Sequence, residues 1–142
     1  MAMLPFCGYN MADYFDHWLG IGRREGAVLP RIFLVNWFRK DAEGSFLWPG
    51  FGENSRVLEW VFRRCEGEGE ARETPIGLVP PPEAINTEGL RIEDGALEEL
   101  LTVDPDLVAE QLPQVEEFLA KFGDRLPAEI GQQLEALRQR LG

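Results

Sequence analysis

The segment SFLWPGFGENSR, residues 45–56, puts Phe46, Trp48 and Phe51 into a stretch that Pro49, Gly50 and Gly52 keep out of regular structure. Three large aromatics in a loop need either a core to fill or a ligand to hold. On one side stands PRIFLVNWF, where Ile32, Phe33, Leu34 and Val35 form a short apolar run rich in β-formers after a proline. A run without polar alternation predicts a strand buried on both faces. RKDAEGSFLW then predicts a turn at Asp41 to Gly44 and a short returning strand, completing a hairpin. On the other side, GENSRVLEWVFRRC carries Val57, Leu58, Trp60, Val61 and Phe62 at helical spacing, with Asn54 or Ser55 as cap.

Upstream, YNMADYFDHWLGIGRR predicts a helix capped by Asn10 and stopped near Gly20 to Gly22. CEGEGEARETPIGLVPPPEAIN alternates glycine with glutamate and ends in three prolines, so it reads as a linker with one short extended piece at TPIGLVP. Helices follow in GALEELLTV, in DPDLVAEQLPQVEEFLAKFG with Asp104 as cap and Pro105 in the first turn, and in LPAEIGQQLEALRQRL. The architecture expected is a mixed α/β fold, a small β-hairpin flanked by helices and followed by a helical tail. Its divisions are residues 1–66, a linker at 67–92, and acidic packing helices at 93–142.

The 142 residues suffice for one domain with a core, and 44% hydrophobic with 27% charged residues is ordinary globular composition. No apolar run approaches the roughly 18 residues that span a bilayer, and the first residues lack the basic start and apolar centre of a secretory leader. A cytoplasmic protein without membrane contact is expected. Cys7, Cys65 and the lone His17 fit neither a disulfide framework nor a metal site; both thiols are expected as small buried hydrophobes. The net charge of −11 is lopsided: residues 1–64 hold 8 basic against 7 acidic side chains, residues 65–142 hold 6 against 18. Such a surface repels phosphate backbones and argues against a nucleic acid polymer as partner.

The hairpin puts Phe38 at the end of its first strand and Phe46 near the start of the second, with Phe51 just before the helix at Asn54, so three rings can converge at one corner. Aromatic faces about 7 Å apart admit a flat heterocycle, each stacked ring contributing roughly 1–3 kcal/mol. Stacking does not choose between bases; the Asn54 carboxamide, with donor and acceptor in one plane, can. Gly50 and Gly52 let backbone come close to a ligand. Aromatics beside a turn also form satellite cores, and an Asn before a helix also acts as a simple cap. Composition leaves both readings open.

PFCGYNM, VNWFRKD, FLWPGFGENSRVLEW, TPIG and FLAKFGDRLP, in that order along nearly the whole chain, resemble the C-terminal part of GTP-dependent phosphoenolpyruvate carboxykinase. The resemblance implies Phe38, Phe46 and Phe51 as aromatic contacts to guanine and Asn54 as the selector of guanine over adenine. Gly52 and Glu53 would complete the nucleotide loop. It implies the conversion of oxaloacetate and GTP to phosphoenolpyruvate, GDP and carbon dioxide, with a divalent metal, manganese or magnesium, ligated outside this chain. No G-x-x-x-x-G-K-[ST] phosphate loop occurs, and the lysines are Lys40 and Lys121 alone. Upstream enzyme sequence, or self-association, is therefore the expected partner, and a piece of a larger enzyme the expected fold. A non-catalytic acidic helical interaction module derived from such an enzyme is the alternative. In that case the aromatic loop is core, and Phe51→Ala unfolds it.

Overall fold

A computed structural model describes residues 7–142. The residues before them, read above as lacking a leader and opening PFCGYNM, lie outside the described residues. Helix α1 runs Met11–Gly22, α2 Asn54–Cys65, α3 Ala96–Leu101, α4 Pro105–Ala120 and α5 Ala128–Leu141, with strands β1 Arg72–Thr74 and β2 Gly77–Val79. The mixed class holds: among the described residues five α-helices accompany one two-stranded antiparallel sheet, in which Arg72 faces Val79 and Thr74 faces Gly77. The chain divides into two compact units. One comprises the residues up to Pro30 with Asp104–Gly142; the other is Arg31–Val103.

In the first unit, α1 starts where expected. The Asn10 side chain accepts from the Ala12 N–H at 2.9 Å while its amide donates to the Phe122 carbonyl at 3.2 Å, so one residue both caps a helix and pins it to a distant turn. Met11, Ala12 and Phe122 are buried, with Phe15 and Phe118 edge-on to Phe122 at 5.4 and 5.3 Å. Asp104 caps α4 by accepting from the Asp106 and Leu107 N–H groups, and Pro105 sits in the first turn, where its missing N–H costs nothing. Glu129 accepts its own backbone N–H in the first turn of α5 and the guanidinium of Arg23; both hold its carboxyl below the usual range.

The second unit closes on Trp48, Trp60, Ile85 and Leu97, with Phe33, Val57 and Val61 packed against them. Trp60 meets Phe33 edge-on at 5.9 Å and donates its indole N–H to the Glu70 carbonyl at 2.9 Å. Segment 67–92 enters this core through Ile85, 4% exposed, and β1 and β2 form its hairpin. Both are more order than a glycine- and glutamate-rich linker suggests. Cys7 is half-buried and Cys65 exposed, so the expectation of two buried thiols fails, most plainly at Cys65 in the last turn of α2.

The strand expected over Ile32–Val35 does not form: among the described residues nothing pairs with it. The segment nevertheless keeps a two-residue alternation. Phe33, Val35 and Trp37 are half-buried, whereas Ile32 and Leu34 are 90% and 100% exposed. The unbroken apolar run therefore has one face on the core and one bare.

Arginines tie this unit together through backbone carbonyls. Arg39 donates to Leu100 and Thr102, Arg64 to Gly69, and Arg72 to Leu101. Arg56 spans the most, donating from Nε to Glu53 at 2.6 Å, from Nη1 to the Asn86 carbonyl at 2.8 Å and from Nη2 to the Glu88 carbonyl at 2.9 Å. Arg56→Lys keeps the charge but gathers its donors on one nitrogen, which cannot reach three acceptors placed around Nε, Nη1 and Nη2. It lowers unfolding stability by about 1.5–3 kcal/mol, the value of a hydrogen bond to a charged group, read as a shift of the urea midpoint. An unchanged midpoint would show that the three contacts contribute nothing net.

Candidate functional site

The returning hairpin survives in reduced form. A single bridge joins Lys40 and Phe46, with Asp41 N–H to Ser45 O at 3.0 Å and Leu47 N–H to Arg39 O at 3.0 Å. Asp41 also accepts the Ser45 N–H on its side chain, and Gly44 closes the turn at φ 86°, a backbone region glycine enters without strain. Just upstream, Asn36 Oδ1 accepts the Phe38 N–H at 3.0 Å and fixes the entry to the hairpin.

Alternation along the hairpin sorts its side chains. Trp37 and Leu47 go to the core and Arg39 to the carbonyls of Leu100 and Thr102. Phe38 and Phe46 are left 73% and 57% exposed on the other face. Their rings meet at 6.2 Å and 63°, and the Lys40 ammonium lies 4.9 Å from the centre of Phe46. These two rings pack on each other, so a base cannot enter between them; their outer faces remain available.

Pro49 and Gly50 then redirect the chain. Gly50 at φ 98° leads into a single 3-10 turn, Phe51–Glu53, that runs on into α2. Phe51 stands out from this turn, 97% exposed and without a ring contact among the described residues. Gly52 is exposed beside it, and Glu53 is half-buried and engaged by Arg56. The structure thus brings together Phe38 with Phe46, and Glu53 with Arg56, and leaves Phe51 reaching into solvent.

Asn54 is not the cap expected of it, nor is Ser55: Glu53 holds the cap position and no side chain bonds there. The Asn54 carboxamide turns back instead and accepts the indole N–H of Trp48 at 2.9 Å. Trp48, 5% exposed, anchors that contact in the core. Its part was missed in sequence, although a Trp six residues before the Asn is the available signal.

Of the cations beside these residues, Arg39 and Arg56 are engaged on carbonyls, while Lys40 lies over the Phe46 ring. A shallow hollow of about 160 Å³ touches Phe46, Pro49 and Arg91 but not Phe38, Phe51 or Asn54. A second, of about 380 Å³, lies by Ile85 and Glu93. The nominated residues therefore form an open surface. Among the described residues no three His, Cys, Asp or Glu side chains are grouped to hold a metal, so the donors present do not fit the divalent ion that the resemblance implies. No helix among them is long and apolar enough to cross a membrane.

Residues 1–140 match the family described as phosphoenolpyruvate carboxykinase C-terminal P-loop domain, a class of domain named for its phosphate-binding loop. It is 54% identical over 142 residues to phosphoenolpyruvate carboxykinase (GTP) of Treponema pallidum strain Nichols, covering 99% of this chain and 23% of that protein. The protein of the same name from Paenarthrobacter aurescens strain TC1 is 50% identical over 143 residues, covering 100% and 24%. That of Neocallimastix frontalis is 51% identical over 142 residues, covering 99% and 23%. The chain belongs to the GTP-dependent phosphoenolpyruvate carboxykinase family, and it spans about a quarter of the length of these relatives.

Proposed function

We propose that this chain supplies the guanine-reading surface of a GTP-dependent phosphoenolpyruvate carboxykinase. Phe38, Phe46 and Phe51 provide aromatic faces, Asn54 reads the base edge, and Gly52 and Glu53 shape the turn between them. The enzyme would convert oxaloacetate and GTP to phosphoenolpyruvate, GDP and carbon dioxide in gluconeogenesis, in the cytoplasm. Its phosphate loop and its manganese or magnesium ligands would lie in sequence outside this chain. This chain's own residues bind and orient the base. The upstream part of the enzyme, or a second copy, would cover the bare Ile32 and Leu34.

The exposure of Phe51, 97%, carries this reading. A ring displayed from a glycine-set turn one helical turn before an oriented amide is poorly explained as core, which the alternative of an acidic interaction module requires. The test is a titration of the chain with GDP and, separately, ADP, followed by tryptophan fluorescence, on wild type and Phe51→Ala. Wild type is quenched saturably by GDP and far less by ADP. Phe51→Ala weakens GDP by roughly 5- to 150-fold, the loss of one stacked ring, and leaves the melting temperature unchanged. An unfolded Phe51→Ala, or a flat response to GDP from a chain with a folded circular dichroism spectrum, would overturn the reading.

A further inference from the structure

We propose that Trp48 sets the base preference of the site by locking the Asn54 carboxamide in one of its two orientations, so that it suits a 6-oxopurine and opposes a 6-aminopurine. The inference rests on the base-reading role given to Asn54 above. A carboxamide is nearly two-fold symmetric in shape and opposite in polarity at its two ends, so an unconstrained Asn turns over and serves either pattern. The 6-position of a purine is an acceptor oxygen in guanine and a donor amine in adenine. At the neighbouring N1, guanine donates and adenine accepts. An amide reading these two positions with nitrogen toward position 6 and oxygen toward N1 fits guanine at both; turned over, it fits adenine at both.

The structure contains the element that breaks this symmetry. An indole N–H only donates, so the atom of Asn54 facing it at 2.9 Å has to be the oxygen. Trp48 is 5% exposed within the cluster of Trp60, Ile85 and Leu97, so the donor cannot swing away. Turning the amide over would set its NH₂ against a buried N–H, leaving two donors without an acceptor. No group of the described residues accepts from Asn54 Nδ2, which leaves the amino end for a ligand, and the second lone pair of Oδ1 is available to accept from N1–H. Trp48 is thus a positioning residue: it need not touch the base to decide which base is read.

The experiment replaces Trp48 with 3-benzothienylalanine, in which sulfur stands for the indole N–H at nearly constant shape, and measures GDP and ADP binding to the chain by calorimetry. Trp48→Phe serves as the genetically simple companion. The expected result is a folded variant whose GDP-to-ADP affinity ratio falls about tenfold, one hydrogen bond's worth, partly through tighter ADP binding. A ratio equal to wild type would overturn the proposal, as would an equal loss for both nucleotides with a lowered unfolding midpoint, which marks Trp48 as packing alone. Wild type that binds GDP no better than ADP would instead remove the base-reading role itself, and the orientation proposal with it.

Discussion

Trp60→Ala loses most of the stability of the Arg31–Val103 unit. The indole is 6% exposed, contacts Phe33 edge-on and joins α2 to Glu70 through its N–H. Truncating a buried Trp costs about 3–5 kcal/mol, because transfer energy, cavity and lost hydrogen bond act together. Against a total of roughly 5–15 kcal/mol for a whole domain, that removes a large share of what holds a unit of this size. Urea unfolding followed by circular dichroism reads the loss, with Phe62→Ala as control. Phe62 lies two residues along the same helix but is 67% exposed, so its truncation shifts stability by about 0.5 kcal/mol or less. Comparable shifts in the two variants would show that the core is not centred on Trp60.

Asn54→Ala loses on two counts at once. It removes the proposed contact to the base edge, and it leaves the buried Trp48 N–H without its acceptor, a desolvation cost of about 1–3 kcal/mol. GDP affinity falls roughly 10- to 100-fold and the preference over ADP disappears. Asn54→Asp separates the two effects. The carboxylate still accepts from Trp48 but offers another acceptor where the amide offered a donor, so folding is retained while GDP is disfavoured relative to ADP. Calorimetric titration of both nucleotides into both variants gives the comparison. An Asn54→Asp chain that keeps the wild-type preference would exclude the amino group of Asn54 as the reader of the base.

The helices were the most legible part of the sequence, because their signals are local. Asn10, Asp104 and Pro105 announce helix starts within one turn of the bonds they make, and the spacing of apolar residues along Asn54–Cys65 follows the helix repeat. Misreadings came where a distant group decides the outcome. Asn54 before a helix has the look of a cap, yet the indole of Trp48 is a donor that must be satisfied in the core, and it captures the carboxamide. Glycines and glutamates in 67–92 slightly outnumber the apolar residues, which hides the side chains that tie the segment inward, Ile85 buried and Ala71, Ala84, Leu90 and Ile92 packed around it. Phe38, Phe46, Phe51 and Asn54 were nominated from type and spacing. Their exposure was not, because a phenylalanine reads the same whether it fills a core or faces water.

The alternation at residues 32–35 also bears on how an unpaired apolar segment is held in place. A segment apolar on both faces can slide two residues along any neighbour and present the same pattern, so Ile32, Phe33, Leu34 and Val35 carry little register information of their own. The information sits downstream, in the Asn36 side chain closing on Phe38 and in Asp41 closing on Ser45. These two short turns fix the chain just after the hydrophobic segment. Lengthening the Asp41–Gly44 turn by one residue would therefore put out of step the relation between Phe38 and Phe46, while the apolar run itself, indifferent to the change, would tolerate it.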